Sequence, residues 1–203
     1  MQAGALDWAI VTAQAKELLV FAHADEASAF GDVPHLITGV GKVNAATALA
    51  AELATAWQQE APFEQITVLG TAGIVGDAHD LDTVVEVTGA VQHDFSLPSP
   101  LLKCGSALTG EPLTGIPTAT IATADVFVQD DTQRRHIAEL GASLCDMEVY
   151  AYLKTAEVFH TPIRVFKVPS DFADSSTTQE QWDDIVALKS QQLRQFYNTH
   201  LAA

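Results

Sequence analysis

Two short segments concentrate acidic side chains where apolar strands come to an end. Asp146-Met-Glu148 follows the strand-like run Ala-Ser-Leu-Cys and opens a helix, and Ser170-Asp171 closes the β-branched run from Ile163 to Val168. Carboxylates carried on strand ends can project into one crevice, and paired acids in apolar surroundings suit general acid–base work. Each segment also has a plain structural reading. Asp146 and Glu148 could offset a helix macrodipole, and Ser170-Asp171 could cap a helix or form a turn.

The elements that must hold these residues alternate along the chain. Leu6–Thr12 reads as a strand and Ala13–Phe21 as a helix. Leu36–Gly41 leads into a small-sided helix over Val43–Trp57. Ile66–Ala72 and Thr83–Val91 read as strands, and Asp94–Thr118, rich in proline and glycine, as a long irregular excursion. Ala119–Val128 is expected as a strand, Asp130–Leu140 as a helix with an Asp-Asp-Thr cap, and Ala142–Met147 as a strand. A helix over Glu148–Phe159, a strand over Pro162–Val168 and a long helix over Thr177–Leu201 complete the order. Such alternation predicts one three-layer α/β/α domain, residues 1–203, around a central mixed sheet.

Composition narrows the function. The 203 residues are 48% hydrophobic and carry a formal charge of −16, from 10 Lys and Arg against 26 Asp and Glu. A field of that sign repels nucleic acid and anionic lipid, so neither is expected as a partner. No run of about 18 apolar residues suggests a membrane span, and the N-terminal stretch lacks the basic region of a secretory signal. Two cysteines point to a reducing compartment, and a cytoplasmic protein is expected. The seven histidines show no metal-ligand spacing, so no metal is expected. Gly39-Val-Gly-Lys42 fails both the Walker and the dinucleotide patterns. It reads as a tight strand-to-helix turn, and Gly70-Thr-Ala-Gly73 as a second such turn.

The ordered set of motifs resembles the nucleoside phosphorylase and nucleosidase family, most closely the 5′-methylthioadenosine/S-adenosylhomocysteine nucleosidases. It runs through Ala13-Gln-Ala-Lys-Glu17, Gly39-Val-Gly-Lys-Val43, Gly70-Thr-Ala-Gly73, Ala124-Asp-Val-Phe-Val128, Cys145-Asp-Met-Glu148 and Val168-Pro-Ser-Asp-Phe-Ala-Asp174. The resemblance implies a nucleoside phosphorylase-like fold and hydrolysis of a purine N-glycosidic bond without metal or cofactor, in a homodimer. By resemblance Asp171 protonates the departing base, Ser170 orients that carboxyl, and Glu17 activates the attacking water. Glu148 would hold the ribose hydroxyls with Met147 against the sugar, Phe127 would stack on the base, and the Val128 backbone would read its edge. Val40, Thr71 and Trp182 would complete the substrate pocket. Lys167 stands where the family has arginine, and Gln14 where it has an apolar residue near the 5′ substituent.

These roles set chemical requirements. A general acid must hold a proton near neutral pH although free aspartic acid titrates near ~3.9, which calls for burial and neighbouring negative charge. Glu148 is expected to stay ionised, because a carboxylate accepting two hydroxyls gains charge-assisted bonds. Phosphorolysis would need arginines at the glycine turns, but the arginines stand at 134, 135, 164 and 194, and Glu17 would repel phosphate. A phosphorylase of the same fold and a nucleoside-binding protein that lost the chemistry are the other readings.

Overall fold

The computed structural model describes residues 17–104, 111–176 and 178–202. The strand expected over Leu6–Thr12, Gln14 and the start of the following helix lie outside them. The first described element is strand β1, Glu17–Phe21, where the sequence reading placed the end of a helix. Leu18, Leu19, Val20 and Phe21 are all buried. Four consecutive buried residues need cover on two faces, which a strand inside a parallel sheet provides and a one-striped helix does not, so tertiary burial overrides helix propensity here.

The remaining elements follow the expected order. They are β2 (His35–Ile37), α1 (Lys42–Gln58), β3 (Gln65–Ile74), β4 (Val85–Gln92), β5 (Leu102–Lys103), β6 (Thr118–Thr123), α2 (Asp131–Glu139), β7 (Leu144–Asp146), α3 (Val149–Phe159), β8 (Ile163–Asp171) and α4 (Gln179–His200). Asp130 caps α2 by accepting from the Thr132 and Gln133 N–H groups.

β2, β1, β3 and β8 run parallel, β8 pairs antiparallel with β4, and β4, β6 and β7 run parallel to one another. β7 returns antiparallel to β3. Strands β3, β8, β4, β6 and β7 therefore close into a ring, with β1 and β2 extending the sheet on one side. Side chains of β1 alternate between two cores. Leu18 and Val20 join the cluster that includes Leu49 and Leu53 of α1 and Tyr152 of α3. Leu19 and Phe21 join Phe166, Leu193 and Phe196 on the α4 side. This is the expected α/β/α sandwich around a mixed sheet.

Two departures from the expected boundaries matter for the site. β6 ends at Thr123 instead of reaching Val128: the Ala124 N–H makes the last bond to β7, to the Asp146 carbonyl, and the chain beyond it leaves the sheet. β8 runs past Val168 to Asp171, with a register shift opposite Ala72 and Gly73. Pro169 has no N–H to give the ladder, and the irregularity there makes Ala72 face Pro169 and Gly73 face Asp171, leaving Ser170 as the extra residue of a bulge.

Candidate functional site

The strand ends, the freed segment after β6 and the start of α4 surround a cavity of about 230 Å³. Its wall takes in nine of the ten residues expected at the site: Val40, Thr71, Phe127, Val128, Met147, Glu148, Ser170, Asp171 and Trp182. The tenth is Glu17, and it stands elsewhere. Glu17 opens β1 in register with Gln65, and its carboxylate accepts from Thr67 Oγ1 and from Gln65 Nε2. It also sits beside Tyr197, near the far end of α4 from Trp182. The fifteen residues between those two positions span roughly 22 Å of helix. Glu17 therefore does not take the place expected for it: residues 17–21 form strand β1 instead of the end of a helix, and the acid at the strand's amino end is bonded to Thr67 and Gln65 and is not part of the cavity wall.

The acid delivered to the cavity from this part of the chain is Glu26, five residues beyond the end of β1. It is 3% exposed. Glu26 Oε1 accepts from the Thr71 N–H at 2.7 Å and from Thr71 Oγ1 at 2.8 Å, and Oε2 accepts from the His23 N–H at 3.2 Å. Thr71 Oγ1 in turn accepts from the Trp182 indole N–H at 3.0 Å, and the indole meets the His23 ring edge-on at 5.5 Å. A side chain on Gly70 would lie 3.1 Å from Glu26 Oε1 and 3.2 Å from Lys167 Nζ, so glycine lets this buried pair close over the strand. The signal for Glu26 is present in the sequence as the apolar run Leu18-Leu-Val-Phe-Ala22 followed by His-Ala-Asp-Glu26, an acid a few residues past the end of a buried run.

Lys167 lies inside the fold at 1% exposure and pairs with Asp146 Oδ2 at 3.1 Å. Burial opposes its charge, but Asp146, Glu26 and Glu148 outweigh burial and hold its pKa above the ordinary lysine value. Asp146 also accepts from Thr123 Oγ1 at 2.7 Å and from the Val149 N–H at 3.0 Å, which ties β6, β7 and the first turn of α3 together. Its carboxylate thus sits at the amino end of α3, where the macrodipole reading places it, and it is an ion-pair partner besides. Glu148 accepts from the Gly41 N–H at 2.9 Å. Burial first, and then the Asp146 charge, push the Glu148 pKa up to about 8, against the pull of Lys167 and of the Gly41 N–H. In the absence of ligand these surroundings favour the neutral carboxyl, whereas the expected carboxylate is the form that accepts ribose hydroxyls.

Asp171 has different company. Its Oδ2 accepts from Ser170 Oγ at 2.7 Å and its Oδ1 from the Ala173 N–H at 2.8 Å. Opposite it stands Gly73, where a Cβ would come within 3.0 Å of Asp171 Oδ1, Cys145 Sγ and Ala173 Cβ, so only glycine admits this packing. The bulge and the glycine together aim the Asp171 carboxyl into the cavity. Phe127 and Val128 border the cavity from the segment released by β6.

Residues 29–201 match the family model of the phosphorylase superfamily. The chain belongs to the phosphorylase superfamily. Solved structures of superfamily fold agree with it over nearly their whole length. A Helicobacter pylori 5′-methylthioadenosine/S-adenosylhomocysteine nucleosidase mutant with 5′-methylthioadenosine in its active site has a TM-score of 0.75 at 15% identity, covering 91% of this chain and 97% of its own. A Helicobacter pylori futalosine hydrolase mutant gives 0.73 at 15% identity, covering 90% and 96%. The S-adenosylhomocysteine nucleosidase of Streptococcus pyogenes in complex with 5-methylthiotubericidin gives 0.72 at 19% identity, covering 94% and 99%. At these identities the likeness is one of fold. No curated protein matches the chain at significant similarity. Among the described residues, no helix is long and apolar enough to cross a membrane.

Proposed function

We propose that this superfamily member is a purine nucleosidase, which uses water to cleave the N-glycosidic bond of 5′-methylthioadenosine, S-adenosylhomocysteine or a close analogue. The observation that supports hydrolysis over phosphorolysis lies at the Gly39–Lys42 turn before α1 and at Gly70–Gly73, which the sequence suggests as a second turn but which runs as part of strand β3. A strand-to-helix glycine turn is the natural seat for a phosphate, because its N–H groups and the helix dipole face the anion. Here the Gly41 N–H of that turn already serves Glu148, and within β3 the Thr71 N–H serves Glu26. The arginines are also engaged elsewhere, Arg164 with Glu86 and Arg194 with Asp32, and none lines the cavity among the described residues.

In this reading Asp171, steadied by Ser170, gives its proton to the purine as the bond to the sugar breaks. Glu26 takes the proton of the attacking water and replaces Glu17 in that role. Positive charge growing on the ribose is met by the carboxylates of Glu148 and Glu26. Glu148 accepts the ribose hydroxyls, and Lys167 balances the negative charge the three acids bring together. Phe127 stacks on the base, the Val128 backbone meets its edge, and Met147, Val40 and Trp182 enclose the sugar and its 5′ group. No metal or cofactor enters.

The family's homodimer is proposed as well. Val43 and Trp57, on one face of α1, are 74% and 61% exposed, an apolar surface suited to a second copy. A cytoplasmic setting suits the two free cysteines. The deciding experiment follows base release from a panel of purine nucleosides, futalosine among them, with and without phosphate. Release that needs no phosphate and favours the methylthio or homocysteinyl compounds supports the reading. Strict phosphate dependence would make the chain a phosphorylase, and tight binding with no product would make it a binding protein.

A further inference from the structure

The amino end of α1 offers two successive N–H groups, and they go to acids from two different segments. The Gly41 N–H is donated to Glu148, on the side proposed to hold the ribose. The Lys42 N–H is donated at 2.7 Å to Asp125 Oδ1, at the head of the segment that carries Phe127 and Val128. The same residue's ammonium then closes the arrangement from below. Lys42 Nζ donates to Asp94 Oδ1 at 2.6 Å and to Gln92 Oε1 at 3.2 Å, and lies 3.9 Å from Asp125 Oδ2. Asp94 Oδ2 completes the loop by accepting from the Asp125 N–H at 2.9 Å.

We propose that Lys42 is a positioning residue: one side chain that locks the base-facing segment 124–128 to the turn that holds Glu148, and so sets the spacing between base and ribose contacts. The physical reason is charge. Asp94 and Asp125 meet through a shared backbone bond beside a cavity already rich in acids, in a chain of net charge −16. Two carboxylates so placed repel, and Lys42 is the cation between them. Segment 124–128 has left the sheet, so these bonds replace the strand ladder that would otherwise hold it. A partly buried, multiply bonded ammonium of this kind contributes more than an isolated surface pair.

The inference rests on the nucleosidase reading for its kinetic part and stands apart from it for its structural part. Lys42→Met is expected to raise KM for the best substrate by about tenfold or more while kcat stays within about threefold, and to speed amide exchange of the segment around 124–128. Lys42→Arg should restore both, because it keeps the charge. Adding Asp94→Asn to Lys42→Met should recover part of the KM, since the repulsion is then relieved and the two changes couple. Should Lys42→Met fold poorly, Asp125→Asn is measured in its place with the same expectation for KM and exchange. Unchanged KM and unchanged exchange, or a further loss on adding Asp94→Asn, would overturn the proposal. If the wild-type protein releases base from no nucleoside, the nucleosidase reading fails, and amide exchange alone decides: faster exchange in Lys42→Met upholds the lock and equal exchange overturns it.

Discussion

The paired strands β1 and β3 carry the same small device at both ends, with different results. At the amino ends Glu17 accepts from Thr67 Oγ1, and beyond the carboxyl ends Glu26 accepts from Thr71 Oγ1. Each carboxylate has a β3 threonine hydroxyl as donor, to which Glu17 adds the Gln65 side chain and Glu26 adds the backbone N–H groups of Thr71 and His23. What differs is the surroundings: Glu17 is half-buried beside Gln65 and Tyr197, whereas Glu26 is enclosed with Lys167 near Asp146 and Glu148 and borders a cavity. In an α/β sheet the loops that can move together lie beyond the carboxyl ends, so an acid there meets other strands' acids, while one at the amino end meets only its neighbours. Chemistry follows the end of the strand and not the glutamate–threonine pair.

The sharpest way to break that comparison is at Asp171, which reaches the cavity from the carboxyl end of β8. Asp171→Asn keeps an oxygen for the Ala173 N–H and removes the transferable proton. Base release is expected to fall by about 10³-fold or more, within the range for loss of a general acid, while the melting temperature stays near wild type. Near-normal turnover would take the acid role from Asp171. Next comes Glu26→Gln, which preserves the acceptor for both Thr71 bonds but cannot take a proton from water. A loss of about 10²-fold in kcat is expected, with KM little changed. Activity near wild type would leave the cavity without its water-binding acid.

A smaller effect distinguishes the ribose side. With its pKa at about 8 in the ligand-free protein, Glu148 is mostly protonated at neutral pH, yet accepting hydroxyls calls for the carboxylate. kcat/KM, which reports the free enzyme, should therefore rise as pH climbs toward about 8 and then level, and nucleoside binding near pH 7 should release a proton that calorimetry in two buffers detects. The stability sign is the opposite. A carboxyl whose folded pKa is raised stabilises fully below its unfolded value of 4.5, and that contribution is lost as pH rises through about 8. Glu148→Gln should thus raise the melting temperature more at pH 8.5 than at pH 5.5. An equal shift at both pH values would mean that burial does not hold the proton there.

Much of this arrangement was legible from residue order. Asp146-Met-Glu148 and Ser170-Asp171 announce themselves because strand residues lead directly into acids, and Gly39–Lys42 marks the turn into α1, whereas Gly70–Gly73 suggests a second turn and is instead part of β3. Residues 17–21 suggest a helix because Glu17-Leu-Leu carries helix-favouring residues after Ala-Gln-Ala-Lys, and nothing local reports that β2 and β3 will flank this segment in the sheet while α1 and α3 cover one face and α4 the other. The acid that borders the cavity from this part of the chain accordingly stands nine positions later, at Glu26 instead of Glu17. The Asp171 bulge was equally hidden, since a proline near a strand's end usually reads as its stop, whereas here it shifts the register and lets the strand continue. Lys167 could be seen as a basic residue on a strand, but its three acidic neighbours come from distant parts of the chain.

The smallest expected effect is the most discriminating. Glu17→Gln keeps the carbonyl that accepts from Thr67 Oγ1 and gives up only a charge that is half in solvent. Stability should change by no more than about 0.5–1 kcal/mol, and kcat/KM by less than about twofold, since the residue touches nothing in the cavity. Four residues of strand separate Glu17 from Phe21, about 13 Å, and Glu26 lies beyond that, so the two glutamates are far enough apart to act independently. The double variant Glu17→Gln/Glu26→Gln should then match Glu26→Gln alone in kcat, and in an assay of base release the two curves should superimpose. A Glu17→Gln loss as deep as that of Glu26→Gln would mean the amino end of β1 faces the reacting bond, and the placement of the first strand, together with every role drawn from it, would have to be reversed.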